Sequence, residues 1–286
     1  MSSNLDPRLN AHREDLADET LRDMVEAPRY VAGEPAHVTS PFADMLAEPD
    51  SKSSLQTQIL FGHDIDVFDK QDGWSWVQRR NDGYVGYVRS GLLCEGEATA
   101  THMVFAPRTF LYPGPDLKFP RCGYRSMGSR LNLVDRAETR GTRYGVLEDG
   151  SCIIEQHIIE IGDWQHDPVF VAEKLLHTPY LWGGDTGFGI DCSGLVFLSN
   201  MLCGETVLRD SDMLAVTLGE EIEPDFGALQ RGDIVFWKGH CGMMADGGML
   251  LHANGNTMNV ALEPLADAIE RIGYLYGQST RVRRPQ

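Results

Sequence analysis

Three residues in this sequence are placed to do chemistry together. Cys192 stands in Asp191-Cys192-Ser193-Gly194, where a glycine-rich loop passes into a helix-like run. A cysteine at a helix start meets unpaired N–H groups and the positive end of the dipole. Both favour the thiolate, the nucleophilic form. A thiolate nucleophile works with an imidazole base, and His240 and His252 follow on β-like segments. Residues 240–245 and 249–253 flank Asp246-Gly247-Gly248, a hairpin signal. With the tight turn on Asp246-Gly247, paired positions sum to 492–493, so His240 is expected opposite His252 or Ala253. Directly opposed side chains lie about 4.5–5.5 Å apart at Cβ. His252 then holds the ring of His240 and fixes its tautomer, which completes a nucleophile, base and orienter. Strand alternation turns Cys241 to the other face. The Cys192 N–H and the Tyr180 hydroxyl are the candidate oxyanion donors. Zinc on Cys192, His240 and His252 is a rival that lacks a close-spaced ligand pair.

The elements around these residues read as α+β. Asp167-Pro168 begins a helix, with proline in the first turn, and Phe170, Ala172, Leu175 and Leu176 recur at helical period. Cys192 to about Leu202 is a buried helix. Residues 233–237, 241–244 and 249–252 are strands joined by tight turns, so helices come first and antiparallel strands after. Upstream, residues 58–61, 64–68, 75–78 and 84–88 are short strands separated by Gly62, Asp72-Gly73 and Asp82-Gly83. Strands at that spacing fit a small β-barrel. A second copy follows: His37-Val38 and His102-Met103 stand 65 residues apart, and Leu46 and Leu111 keep the offset. The expected division is a leader over 1–30, helical in part around Asp15–Glu26, then β modules over 31–95 and 96–160, then the catalytic domain over 161–286.

Composition narrows the partners. The chain has 286 residues and a net charge of −17, which argues against general binding to nucleic acid or anionic membrane. No apolar run approaches the roughly 18 residues of a membrane span. Residues 1–20 have no basic start and apolar core of an export signal, so the expected compartment is the cytoplasm. A processed fragment of an exported precursor reads the same way. The six cysteines include no CxxC pair and are expected as free thiols.

The motifs resemble a known family. Pro179-Tyr-Leu-Trp-Gly-Gly184, Asp191-Cys-Ser-Gly194, Arg231-Gly-Asp-Ile-Val-Phe236, His240-Cys-Gly242 and Leu251-His-Ala253 are similar, in order and spacing, to the NlpC/P-sixty cell-wall cysteine peptidases. The resemblance implies a papain-like NlpC-type catalytic domain preceded by two small SH3-like β-barrels. It implies Cys192 as nucleophile, His240 as base, His252 as third residue and Tyr180 at the oxyanion, with no cofactor. Tandem SH3-like modules further resemble the γ-D-glutamyl-L-diamino acid endopeptidases. These cut small murein peptides carrying a free N-terminal L-alanine. On that likeness Asp191 helps to hold the substrate's free amine, Asp210 and Ser211 contact its diamino acid, Tyr84 in the first SH3-like module helps to hold the alanine end, and Ser193 and Trp182 are further substrate-binding candidates. Tyr84 reads equally as barrel core, Trp182 as packing, and Asp210-Ser211 as a helix cap. The subgroup often has an acidic residue after the glycine where His63 stands here, so Asp64 or Asp82 is the substitute for holding the amine. The rival readings are a murein endopeptidase on intact wall, an inactive wall-binding module, and an amide hydrolase on another substrate. Neither the diamino acid preference nor the oligomeric state is legible.

Overall fold

The computed structural model describes residues 5–285 and divides into two compact units. The first runs to Val104 and resumes at Thr109–Ile161; the second consists of Phe105–Arg108 and the chain from Gly162 onward. Phe105–Arg108, expected inside the second β module, thus belongs with the catalytic residues. Its anchor there is aromatic: Phe105 lies 6.3 Å from the Phe170 ring, and the Lys174 ammonium sits 4.5 Å over Phe105.

The first unit is all β. Its opening segment corrects the expected leader helix around Asp15–Glu26. Strands His12–Arg13, Leu16–Asp18 and Tyr30–Val31 form a small sheet, and only one 3-10 turn, Glu19–Leu21, follows Asp18. Ala17 pairs with both His12 and Tyr30, and Ala11 and Leu16 pack against Phe68, Trp76 and Val85. Pairing and burial override the weak helical propensity of this polar stretch.

Beyond it, seven strands form one sheet, with Asp64–Gln71 and Trp74–Arg79 as its central hairpin. Asp72 and Gly73 both have positive φ, 52° and 80°, the backbone that a two-residue hairpin turn demands. The arrangement recurs downstream. Glu34–Val38 pairs with Asp64–Gln71 and with Leu93–Glu95; likewise His102–Val104 pairs with Arg130–Leu131 and with Ile158–Glu160. His63 is buried where the two sets meet, 2.9 Å from the Gly128 carbonyl oxygen through Nε2. Burial, helped by the charge of Arg130, pushes its pKa down to about 3, so the ring is neutral.

The second unit carries α1 (Pro168–Glu173), α2 (Cys192–Met201), α3 (Ser211–Thr217) and α4 (Leu265–Tyr276). Its sheet contains β1 (Glu220–Ile222), β2 (Ile234–Trp237), β3 (His240–Met244), β4 (Met249–Asn254), β5 (Asn259–Pro264) and β6 (Arg281–Arg284). The spatial order is β1-β6-β2-β3-β4-β5, antiparallel throughout. Leu265, Ala268 and Ile272 of α4 bury one face of the sheet against Val235, Met244 and Leu250. Helix α2 packs against β3 and β4 and is buried along its whole length.

Candidate active site

Cys192 is the first residue of α2, and the loop before it is built to hold it there. The Asp191 carboxylate accepts from the Gly194 N–H at 2.7 Å and the Gly183 N–H at 2.8 Å, capping the helix and gathering the loop. Gly194 has to be glycine: a Cβ there would stand 2.3 Å from the Gly184 carbonyl oxygen. Tyr180 is pinned beside this turn. Its N–H donates to the Met258 carbonyl at 2.9 Å, and its backbone bridges to Ile190.

Beneath the loop lies Arg209, 1% exposed. It meets Asp185 at 2.7 Å and Asp191 at 3.0 Å, and donates to Ser193 Oγ at 2.8 Å. Burial alone would lower its pKa; the two carboxylates outweigh that and keep the guanidinium charged. Ser193 Oγ also donates to Asp191 Oδ1 at 3.3 Å. Asp191 and Ser193, read from the sequence as substrate contacts, therefore both serve the architecture of the nucleophile loop.

The hairpin register differs from the sequence expectation. Met243 pairs with Leu251 and Met244 with Leu250, so paired positions sum to 494. The reason is the Asp246 side chain, which accepts from the N–H groups of Gly248 and Met249 at 2.8 Å each. That turn takes three residues, not two, and moves the ladder on. His240 and His252 become diagonal neighbours on one face, a separation that rings can span. His240 Nε2 lies 2.9 Å from His252 Nδ1.

The chain of contacts continues past His252. Its Nε2 is 2.7 Å from Glu263 Oε1 on β5, and Arg271 of α4 pairs with the same carboxylate. Burial lowers the His252 pKa, leaving the ring neutral. A neutral ring that turns its Nε2–H to the Glu263 carboxylate accepts at Nδ1 from His240 Nε2–H. His240 then keeps Nδ1 for Cys192. Glu263 and Arg271 escaped the sequence reading. The signal was the pairing of β4 with β5, where Leu250 opposes Glu263 and His252 opposes Ala261, so Glu263 falls on the His252 face.

Cys241 also departs from the sequence expectation. Alternation was expected to turn it away from the chemistry, yet its side chain interacts directly with the Cys192 sulfur. Alternation does separate it from His240, but the face it reaches is the one covered by α2, the helix that carries Cys192. The Cys192 thiol is held well below the usual range. The bond from the Cys241 side chain is the largest cause; the charge and bond of His240 and the Cys241 N–H add to it, against burial. Cys192 itself is 7% exposed.

The remaining expected residues fall in different places. Asp210 and Ser211 are half-buried at the start of α3, where Asp210 occupies the N-cap position without a side-chain capping bond. Trp182 is 64% exposed on the nucleophile loop, which sets aside a packing role. Tyr84, in the first unit, is 2% exposed beside the buried Arg79–Asp82 ion pair. It is a packed ring, which corrects the reading of Tyr84 as a substrate-facing residue. Asp82 is committed to Arg79, and Asp64 accepts from the Ala98 N–H at 2.8 Å, so neither substitutes simply for the missing acidic residue.

Residues 177–271 match the NlpC/P60 family, and residues 45–93 match the bacterial dipeptidyl-peptidase Sh3 domain. The chain carries an NlpC/P60 peptidase domain. A dipeptidyl-peptidase 6 from Lysinibacillus sphaericus is 27% identical over 84% of this chain and 99% of its own. A gamma-D-glutamyl-L-lysine dipeptidyl-peptidase from Bacillus cereus is 27% identical over 74% of this chain and 71% of its own. A crystal structure of an NlpC/P60 family protein from Bacillus cereus superposes with a TM-score of 0.71 at 22% identity, covering 87% of this chain and 99% of that one. The fold is therefore papain-like NlpC/P60 with an SH3-like domain, α+β as the element order indicated.

Proposed function

We propose that the protein is a cysteine peptidase that cleaves the γ-D-glutamyl bond to the diamino acid in small murein peptides with a free N-terminal L-alanine. The observation that carries the reading is the ordered line Cys192–His240–His252–Glu263, set beside two relatives named as γ-D-glutamyl-L-lysine dipeptidyl-peptidases. The Cys192 thiolate attacks the γ-carbonyl. The oxyanion is met by the Cys192 N–H at the head of α2 and by the Tyr180 hydroxyl. His240 passes its Nδ1 proton to the leaving amine, which frees the diamino acid. Water deprotonated by His240 then hydrolyses the thioester, and no cofactor takes part.

Asp210 and Ser211, half-buried at the start of α3 and next in the chain to Arg209, are assigned to the diamino acid. Trp182, exposed on the loop two residues after Tyr180, is assigned to the wall of the groove. The peptide recycling role and a cytoplasmic location belong to the same proposal. The six thiols, all free among the described residues, fit a reducing compartment.

Mass spectrometry of products from L-Ala-γ-D-Glu-meso-diaminopimelate, its lysine counterpart and their N-acetylated forms tests the reading. Release of L-Ala-D-Glu from the free peptides alone is the expected result. Equal cleavage of the acetylated peptides transfers the assignment to an endopeptidase on intact wall. No cleavage with Cys192 shown to be reduced rejects murein peptides as substrates.

A further inference from the structure

The active site holds two sulfurs, and the peptidase reaction uses one. Cys241 is fully buried on β3, on the face that α2 covers, and its thiol interacts directly with that of Cys192 at the head of α2. The other four cysteines stand apart from this pair. Cys94 and Cys122 are exposed on the first unit, Cys152 lies in its core, and Cys203 follows the far end of α2. Burial raises the pKa of Cys152, and that of Cys203 to about 11, so neither is a ready thiolate. Oxidants that act on thiolates therefore meet Cys192 first among these three.

We propose that Cys192 and Cys241 form a reversible disulfide under peroxide, with Cys241 as the resolving thiol that spares the nucleophile from irreversible oxidation. In the first step the Cys192 thiolate attacks hydrogen peroxide. An S–O bond forms, the O–O bond breaks, and the departing hydroxide takes a proton to leave as water. In the second step the Cys241 sulfur attacks the sulfenic sulfur. The S–S bond forms, the S–O bond breaks, and the hydroxide leaves as water with the Cys241 proton. Two sulfurs lose two electrons in all, and one peroxide is reduced to two waters.

The local electrostatics orders these steps. In the reduced site Cys241 is held well above the usual thiol range, first by its bond to Cys192, then by burial and by the charge on Cys192. It is a donor there, not a competing nucleophile. Sulfenic acid at Cys192 is neutral, so the charge that kept Cys241 protonated disappears when Cys192 is oxidised. The resolving thiol is thus released for attack at the point where it is needed. Closure brings the two sulfurs, neighbours where α2 packs on β3, to the ~2.05 Å of a disulfide.

The inference rests on Cys192 as nucleophile for its activity readout, but its covalent readout is independent of the substrate. The reduced full chain is treated with stoichiometric hydrogen peroxide, digested without reductant, and mapped by mass spectrometry, with activity followed in parallel. The expected result is a peptide pair linked through Cys192 and Cys241, and activity lost to peroxide that dithiothreitol restores. In Cys241→Ala, compared with its own untreated rate, dithiothreitol restores less than about one tenth, because Cys192 proceeds to sulfinic acid. Cys203→Ala behaves as the unaltered protein. Any other fate of Cys192 in the unaltered chain, whether sulfinic acid, a link to another cysteine or no oxidation, overturns the proposal. Full recovery in Cys241→Ala overturns it as well. If the linked peptide forms while no murein peptide is cleaved, the disulfide stands and the substrate assignment falls.

Discussion

Each unit buries a polar network, and the two are wired differently. In the first, Arg79 closes on itself: it meets Asp82 through two nitrogens, Thr57 Oγ1 at 3.1 Å and the Gln58 carbonyl at 3.0 Å, all of it buried. In the second, contacts run in single file from Arg271 through Glu263, His252 and His240, and end on Cys192. Low dielectric strengthens both. The closed network spends that strength on holding a fold together. The open one ends on a nucleophile, and the orientation imposed at Glu263 is delivered to a sulfur. Burying polar groups thus makes structure or reactivity according to whether the network closes on itself or ends on a nucleophile.

Removing the open end gives the largest expected effect. Cys192→Ala is expected to lower kcat by about 10⁵-fold or more, as in other nucleophile deletions, measured as L-Ala-D-Glu release. Retained activity would mean the line ends elsewhere. The closed network breaks differently. Arg79→Met strands the Asp82 carboxylate in the core and is expected to cost about 3–5 kcal/mol in denaturant unfolding. Arg79→Met with Asp82→Leu removes both charges and is expected to recover most of that loss. A double variant no better than the single would show that the network is not an isolated pair.

These wirings were unevenly legible in the sequence. The open one was read nearly to its end because its members sit in short-range patterns: Cys192 after a glycine loop, and two histidines across one hairpin. What failed there were details decided by side chains. Asp246 captured two backbone N–H groups and lengthened the turn, which shifted the ladder while leaving the histidines on one face. Alternation rightly parted Cys241 from His240, but a linear pattern does not say which face α2 covers. Glu263 needed the register of one more strand pair. In the first unit the strands and the offset of 65 residues were legible from turn glycines and repeated motifs. The partners of Arg79 and Tyr84 were not, since their burial is created by strands distant in sequence. The opening segment misled for the same reason: pairing with Tyr30–Val31 decides its conformation.

His63 sharpens the comparison through pH. Its folded pKa of about 3 lies below the ordinary 6.5, so the unfolded chain takes the proton first as pH falls. Stability from the neutral ring is complete above about 6.5 and is lost progressively toward 3, at up to about 1.4 kcal/mol per pH unit. Thermal unfolding of the full chain and of His63→Gln, followed from pH 6.5 to 4.5, is expected to show the gap between them narrowing by about 2–3 kcal/mol. A constant gap would mean that the His63 proton is not linked to folding.

The smallest expected effect tests whether the line in the second unit transmits anything beyond Cys192 and its base. Glu263 pairs with His252 and touches neither sulfur nor substrate, so it is a positioning residue. Glu263→Gln keeps an acceptor for His252 Nε2–H and removes the charge. Glu263→Leu removes both and leaves Arg271 without this carboxylate. If orientation is what travels along the line, kcat falls about tenfold in the first and about a hundredfold in the second, the range of outer-shell partners elsewhere. KM holds in both, because the groups that bind substrate are untouched. A purely structural residue would lower the unfolding midpoint and leave kcat at the unaltered value in the molecules that remain folded. Equal losses of kcat from Gln and Leu would show that charge, not the fixed tautomer of His252, is what Glu263 supplies.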